Sequence, residues 1–107
     1  MTPEGKVKEK VKKILKLAGA YYHMPVQNGM GAPTLDIIGC HYGRYFGIEC
    51  KAPGKTPTPR QQNTMDAIRN AGGKVFIIDG DIDELVRWLG PEVTEPQQAT
   101  LNLGDPK

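Results

Sequence analysis

Three charged side chains near the middle of the chain have the types and the spacing of a site for a divalent cation and a phosphate. Glu49 and Lys51 are alternate residues of the segment GIECKA (47–52), so in a β-strand their side chains lie on the same face. Asp36 belongs to the preceding apolar segment, 34–40. If these two segments pair as strands, two carboxylates and one ammonium group meet at one end of a sheet.

A two-residue turn at 42–43 predicts how the two strands pair, because its glycine can supply the positive φ that such turns need. This register places His41 beside Arg44. It also places Asp36 directly opposite Glu49, with Cβ atoms roughly 4.5–5.5 Å apart. Strand alternation assigns the apolar side chains of both strands to the other face, as core: Leu35, Ile37, Phe46, Ile48 and Cys50.

The opposed carboxylates of Asp36 and Glu49 favour a bound cation, because like charges repel more strongly as water is removed. Mg²⁺ is typically held by one or two carboxylates, by waters and by substrate phosphate oxygens. The Lys51 ammonium can stabilise negative charge that develops on a phosphate or on an attacking water. The alternative is a structural patch in which Lys51 only bridges the two carboxylates, since E-x-K is a weak motif by itself.

A third carboxylate comes from the first predicted helix. On a helical wheel Glu4 falls in the middle of the apolar stripe, whereas Glu9 falls among lysines on the opposite side. We therefore expect Glu4 to face the sheet and Glu9 to face solvent. In the alternative interpretation Glu4 is only a favourable negative charge in the first turn of the helix.

The elements that must position these residues follow from hydrophobic periodicity and from capping residues. The predicted helices are 3–18, 59–71 and 81–89, capped by Thr2, Thr58 and Asp81. The predicted strands are 34–40, 45–51 and 74–79, with a short edge strand within 21–27. This order predicts a mixed α+β sheet with helices packed on it.

Length and composition limit the class of protein. A chain of 107 residues with 38% apolar and 24% charged residues fits one globular domain, which we assign to 1–90, followed by an extended or disordered tail at 91–107. No apolar run is long enough to span a membrane, and no signal peptide is recognisable, so we expect a cytoplasmic protein. Cys40 and Cys50 form neither a disulfide framework nor a zinc site, and His23 and His41 are expected in surface or loop positions.

Basic residues concentrate near the N-terminus, although the net charge is only +2. Residues 6–16 hold six lysines and one glutamate. Such a basic helix suggests a polyanionic partner, whereas a solvated helix face is the simpler alternative.

Taken together, the motifs resemble the VRR-NUC domain of the PD-(D/E)XK nuclease superfamily, and in particular its small stand-alone phage-type members. The resemblance covers roughly residues 3–80. It rests on Asp36 followed by Glu49-x-Lys51, on KAPGKTPTPRQ (51–61) with Gln61 opening a helix, on AGGKVFIID (71–79), and on PEGKVKEKVKKIL (3–15) with Glu4. One departure is that Pro33 stands three residues before Asp36 rather than next to it, which leaves the loop before this strand undetermined.

The resemblance implies a restriction-endonuclease-like core of order α-β-β-β-α-β-α that hydrolyses DNA phosphodiester bonds with Mg²⁺ or Mn²⁺ and without a small-molecule cofactor. It implies that Asp36, Glu49 and the backbone carbonyl of Cys50 hold the metal. The residues it implies for catalysis are Glu4, Asp36, Glu49, Lys51 and Gln61. Contacts to the phosphate backbone of DNA are expected from Lys6, Lys10, Lys13, Arg44, Lys55 and Arg60.

For the stand-alone phage-type members the resemblance further implies cutting of Holliday junctions or other branched DNA by a homodimer. It implies a phage or prophage protein that acts in the cytoplasm of a bacterial host. Two other functions stay open. One is a non-cleaving DNA-binding accessory module of the same fold, and the other is an interaction domain whose basic helix is only a solvated surface.

Overall fold

The computed structural model describes residues 1–26 and 33–90, which form three helices and four strands. The helices are α1 (Pro3–Ala18), α2 (Pro59–Asn70) and α3 (Asp83–Leu89), and the strands are β1 (Tyr21–His23), β2 (Ile37–His41), β3 (Arg44–Cys50) and β4 (Lys74–Ile78). The predicted α+β class and the predicted order of elements are therefore confirmed, and the fold is compatible with a restriction-endonuclease-like core. The predicted tail, 91–107, lies outside the described residues.

The four strands form one mixed sheet in the order β1-β2-β3-β4. β2 runs antiparallel to both of its neighbours, β1 and β3, whereas β3 and β4 run parallel. Two parallel neighbours need a crossover connection, which α2 provides. The carboxyl ends of β3 and β4 consequently lie side by side.

The turn between β2 and β3 has the predicted position and register. Tyr42 and Gly43 have φ values of 50° and 78°, as expected at the two central residues of a type I′ hairpin turn. His41 pairs with Arg44, and at the other end of the hairpin Ile37 pairs with Ile48.

Two hydrophobic clusters pack on opposite faces of the sheet. The larger cluster lies between the sheet and the helices α1 and α3, and includes Val11, Leu15, Ile48, Phe76 and Leu85. The smaller one lies under α2 and consists of Leu35, Met65 and Val75, with Ile68 packed against it. The sheet therefore has one helix layer on each side, and its end near Glu49 lies between α1 and α2.

The start of β2 differs from the prediction. The chain bends at Asp36, the strand begins only at Ile37, and Leu35 joins the cluster under α2 instead of the face that holds Ile37. The missing side chain of Gly47 makes room for this path, because a Cβ at Gly47 would come within 2.9 Å of Leu35 Cδ1 and 3.2 Å of Ile68 Cδ1. Simple strand alternation was wrong here because the bend breaks it.

Local capping chemistry explains where the helices begin. Thr2 and Thr58 accept hydrogen bonds from backbone N–H groups of the first turns of α1 and α2, as predicted. The prediction for α3 was wrong: Ile82 is the capping residue, and Asp81 accepts a hydrogen bond from the Asp83 N–H at 2.9 Å within the preceding turn.

His41 was also wrongly assigned to the surface. Its side chain is 3% exposed, and its Nε2 atom lies 2.9 Å from the Leu89 carbonyl oxygen. The ring also contacts Trp88, so the turn end of the hairpin is pinned beneath α3.

Candidate functional site

Glu49 lies near the carboxyl end of β3 and is only 2% exposed. Its Oε2 atom accepts a hydrogen bond from Gln61 Nε2 at 2.7 Å and lies 3.3 Å from the Lys51 Nζ atom. An amide and an ammonium group from two different elements thus meet at one carboxylate oxygen. The structure brings together three of the residues that the sequence predicted for one site.

Gln61 reaches Glu49 because the first turn of α2 fixes it. Its Oε1 atom accepts a hydrogen bond from the Thr58 N–H at 2.9 Å, while the Thr58 hydroxyl accepts one from the Gln61 N–H at 3.2 Å. This reciprocal arrangement is a capping box. With its carbonyl oxygen held by the cap, the amide NH₂ group points to Glu49.

Asp36 ties the bend before β2 to the end of β3. Its side chain is 9% exposed, and its Oδ2 atom accepts a hydrogen bond from the Cys50 N–H at 2.9 Å. Its Oδ1 atom lies 3.7 Å from the Nζ atom of Lys8, on α1. Asp36 and Glu49 therefore end up beside each other at one end of the sheet, each with a lysine close by.

Glu4 joins this group through Lys8. The Lys8 Nζ atom lies 3.7 Å from Glu4 Oε2, and the Glu4 side chain is half-exposed. Glu9 is exposed, as the helical wheel predicted, and its Oε2 atom lies 2.9 Å from Lys12 Nζ. Sequence reasoning missed Lys8, although its position four residues after Glu4 placed it on the same helix face.

The surroundings of the site raise the pKa of two buried groups, Glu49 and Cys50. Desolvation first, and the nearby charge of Asp36 second, raise the pKa of Glu49 to about 7, although Lys51 partly opposes the rise. Burial is also the main cause that raises the pKa of the Cys50 thiol to about 12. The thiol of Cys50 is therefore a core group, and only its backbone belongs to the site.

The donor set suits a hard divalent cation held in part by water. Among residues 1–26 and 33–90, no three His, Cys, Asp or Glu side chains are grouped closely enough to hold a metal ion by themselves. Asp36 and Glu49 could supply two carboxylates, and Cys50 could supply a backbone carbonyl. Such an incomplete set of protein ligands suits Mg²⁺, which usually keeps several waters when it binds a protein.

The basic residues predicted to contact DNA are distributed unevenly around this site. Lys55 and Arg60 are exposed in the loop after β3 and in the first turn of α2, on the segment between Glu49 and Gln61. Lys6 and Lys13 are exposed on α1, whereas the Lys10 ammonium donates to the Gly80 carbonyl at 3.0 Å.

Arg44 lies at the opposite end of β3, roughly 20 Å from Lys51 at the usual rise of a strand. Its guanidinium carbon lies 4.1 Å from the centroid of the Trp88 ring, and its NH2 group donates to the Trp88 carbonyl at 3.2 Å. The structure thus does not bring Arg44 together with the acidic cluster, and its contacts with Trp88 stabilise the turn end of the sheet.

None of the helices within the described part of the chain is long and apolar enough to cross a membrane.

Neither a protein-family model nor a solved structure matches the sequence. The chain is 29% identical over 72 residues to a protein of Acyrthosiphon pisum secondary endosymbiont phage 1 that is named "Putative nuclease p44". The alignment covers 67% of this chain and 76% of the phage protein.

Proposed function

We propose that this protein is a metal-dependent DNA endonuclease of the VRR-NUC type within the PD-(D/E)XK superfamily. The observation that carries the proposal is the pair of buried carboxylates, Asp36 and Glu49, with Lys51 and Gln61 both on Glu49. Two carboxylates buried side by side repel each other and lower stability, and this repulsion is relieved when a cation binds between them. The phage relative, whose name describes a nuclease, supports the same reaction class.

We propose Mg²⁺ or Mn²⁺ as the cofactor, held by Asp36, Glu49 and the backbone carbonyl of Cys50. The fit rests on hard oxygen donors and on the desolvation and charge repulsion that raise the pKa of Glu49. When bound, such an ion supplies Lewis acidity, which polarises phosphate oxygens and eases the deprotonation of water.

The protein's own side chains would then orient the reactants. Lys51 has an ammonium group beside Glu49 and would stabilise the negative charge that builds up on the phosphate. Gln61 holds the Glu49 carboxylate in one orientation, because its own carbonyl is fixed by the cap of α2. Glu4 would complete the acidic cluster from α1, on the side where Lys8 lies.

The proposed substrate is branched DNA, with the Holliday junction as the leading candidate, cut by a homodimer. Exposed Lys55 and Arg60, on the segment between Glu49 and Gln61, and Lys6 and Lys13 on α1 would contact phosphates without reading sequence. One site cuts one strand, so symmetrical cleavage of a junction requires two copies of the chain.

The experiment that tests this proposal is a cleavage assay on labelled linear, flap and four-way-junction DNA with Mg²⁺, Mn²⁺ or EDTA. We expect product only with metal, and we expect Glu49→Ala and Lys51→Ala to bind DNA but to lose cleavage. Sedimentation of the protein with and without junction DNA measures whether the active species is a dimer.

The same assay separates the other candidate functions. Salt-dependent DNA binding by the wild-type protein with no product in any metal would instead indicate a non-cleaving accessory module. Absence of DNA binding at low salt would indicate an interaction domain with a solvated basic helix.

A further inference from the structure

Lys8 lies between two carboxylates of the proposed metal site. Its Nζ atom is 3.7 Å from Asp36 Oδ1 and 3.7 Å from Glu4 Oε2, and its side chain is 30% exposed. The contact with Glu4 follows from helical spacing, because residues four apart share a face of the helix. The contact with Asp36 does not, since it joins α1 to the bend that precedes β2.

Each buried carboxylate of the site faces a lysine from a different element. Lys51 lies beside Glu49, and Lys8 lies beside Asp36. When Glu4 and these four groups are all ionised, three negative charges face two positive charges. The Lys8 ammonium is thus a protein cation in a cluster whose proposed ligand is itself a cation.

The two oxygens of Asp36 have different partners. Oδ2 accepts the Cys50 N–H at 2.9 Å, an interaction that links the bend to β3, whereas Oδ1 is the oxygen near Lys8. A divalent cation that approaches Oδ1 meets the ammonium of Lys8 and is repelled by it. Lys51 differs in position, because it directly follows β3, lies beside Glu49 and is only 12% exposed.

We propose that Lys8 is a built-in counter-cation of this site. Its ammonium neutralises Asp36 and Glu4 while no metal is bound, and it turns to a DNA phosphate when a divalent cation takes its place. The inference rests on the proposed function, since it assigns Lys8 a part in metal and phosphate binding. In this role Lys8 is a positioning residue that keeps the metal-free site folded and lowers its affinity for metal until DNA arrives.

Calorimetric titration of Mn²⁺ into the DNA-free protein tests this proposal directly. Lys8→Met removes the charge but keeps a long, helix-compatible side chain, whereas Lys8→Arg keeps the charge. The matched control is Lys12→Met, since Lys12 is on the same helix, is 33% exposed and pairs with Glu9 at 2.9 Å, away from the site. We expect Lys8→Met to bind Mn²⁺ about tenfold more tightly than wild type. The effect is modest because the side chains of Lys8 and Glu4 are partly exposed to solvent, which screens their charges. The other two variants are expected to bind as wild type does.

Thermal unfolding provides a second measurement that does not depend on activity. In EDTA we expect Lys8→Met to melt at a lower temperature than Lys12→Met, because two carboxylates lose their counter-charge. Adding Mn²⁺ is expected to remove this difference, since the metal then supplies the charge.

The outcomes distinguish this inference from the proposed function. If Lys8→Met binds Mn²⁺ no more tightly than wild type, the counter-cation role is wrong, even if the wild-type protein cleaves DNA with metal. If the wild-type protein neither binds Mn²⁺ nor cleaves DNA, both proposals are wrong.

Discussion

Two lysine–glutamate ion pairs lie at opposite ends of the same sheet and have nearly the same length. Lys51 and Glu49 are 3.3 Å apart at the carboxyl end of β3, and Lys74 and Glu84 are 3.4 Å apart where β4 begins. The exposed fractions of the side chains alone are very different: 12% for Lys51 and 3% for Glu49, against 41% for Lys74 and 66% for Glu84. Distance alone would rank the two pairs as equal.

Burial makes the chemical difference between the pairs. Lys74 and Glu84 keep their hydration, so their attraction is screened and contributes little. Glu49 has lost its water, lies near a second carboxylate, and has its pKa raised to about 7. A buried carboxylate that is repelled by a neighbouring carboxylate is typical of a ligand site, so we propose a functional role for the first pair and none for the second.

Cleavage by lysine variants is the largest expected contrast between the two pairs. We expect Lys51→Met to lower the single-turnover rate of DNA cleavage by about 10²–10³-fold, the effect of losing one charge beside the reacting phosphate. Lys74→Met removes an ion pair of the same length far from the site and is expected to change the rate by less than twofold. Similar losses for both variants would contradict the placement of the active site.

Stability of the metal-free protein is expected to depend on pH through Glu49. Because its pKa is raised to about 7, the folded state holds this proton more tightly than the unfolded state. This contribution is fully present below the ordinary glutamate pKa and is lost as the pH rises toward 7, by at most about 3 kcal/mol.

Chemical unfolding in EDTA across this pH range measures the slope. Glu49→Gln is expected to flatten it, because the amide does not titrate, whereas Glu84→Gln at the exposed pair should leave it unchanged. A slope that survives in Glu49→Gln would assign the effect to another group.

Two neighbouring glutamines allow a finer test of how Glu49 is held. Gln61→Ala removes the Gln61 half of the capping box and the contact with Glu49 but keeps the backbone N–H that donates to the Thr58 hydroxyl, so we expect about 1 kcal/mol less stability and roughly tenfold slower cleavage. Gln62→Ala is the matched control, because the Gln62 side chain is exposed. Within the described part of the chain, its amide nitrogen donates a hydrogen bond to Asp66 Oδ1 at 3.4 Å. Equal effects of the two substitutions would mean that the capping box does not position Glu49.

The exposed pair itself should give the smallest effect. A double-mutant cycle of Lys74→Met and Glu84→Gln, followed by unfolding, is expected to give a coupling energy below about 0.5 kcal/mol that vanishes at high salt. A larger, salt-resistant coupling would show that exposure does not separate the two pairs.

Local signals were sufficient to predict much of the fold and the relation of Glu49 to its neighbours. A turn at 42–43 fixes the hairpin register, and alternation then puts Lys51 near Glu49. Thr58, Pro59 and Gln61 define the start of α2 by chemistry within a few residues. The catalytic and metal-binding roles of these residues stay predictions until the cleavage assay is done.

Contacts between distant segments could not be predicted in this way. The bend at Asp36 depends on how Leu35 packs under α2, which strand alternation cannot show. The position of Lys8 near Asp36 depends on how α1 crosses the sheet, and the Arg44 contact with Trp88 depends on the placement of α3. In each case the deciding partner lies far along the chain.

The tight packing of Leu35 and Ile68 over Gly47 offers a way to hold the protein on uncut DNA with every charge in place. A methyl group there would have to displace Leu35 and Ile68, which are close enough to collide with it, and Asp36 is the next residue along the chain from Leu35. We expect Gly47→Ala to shift the Asp36 carboxylate while all lysines, arginines and acids of the surface stay native. Such a variant would suit structure determination of a complex with the proposed DNA substrate, since the surface charges proposed to contact phosphates would be unaltered.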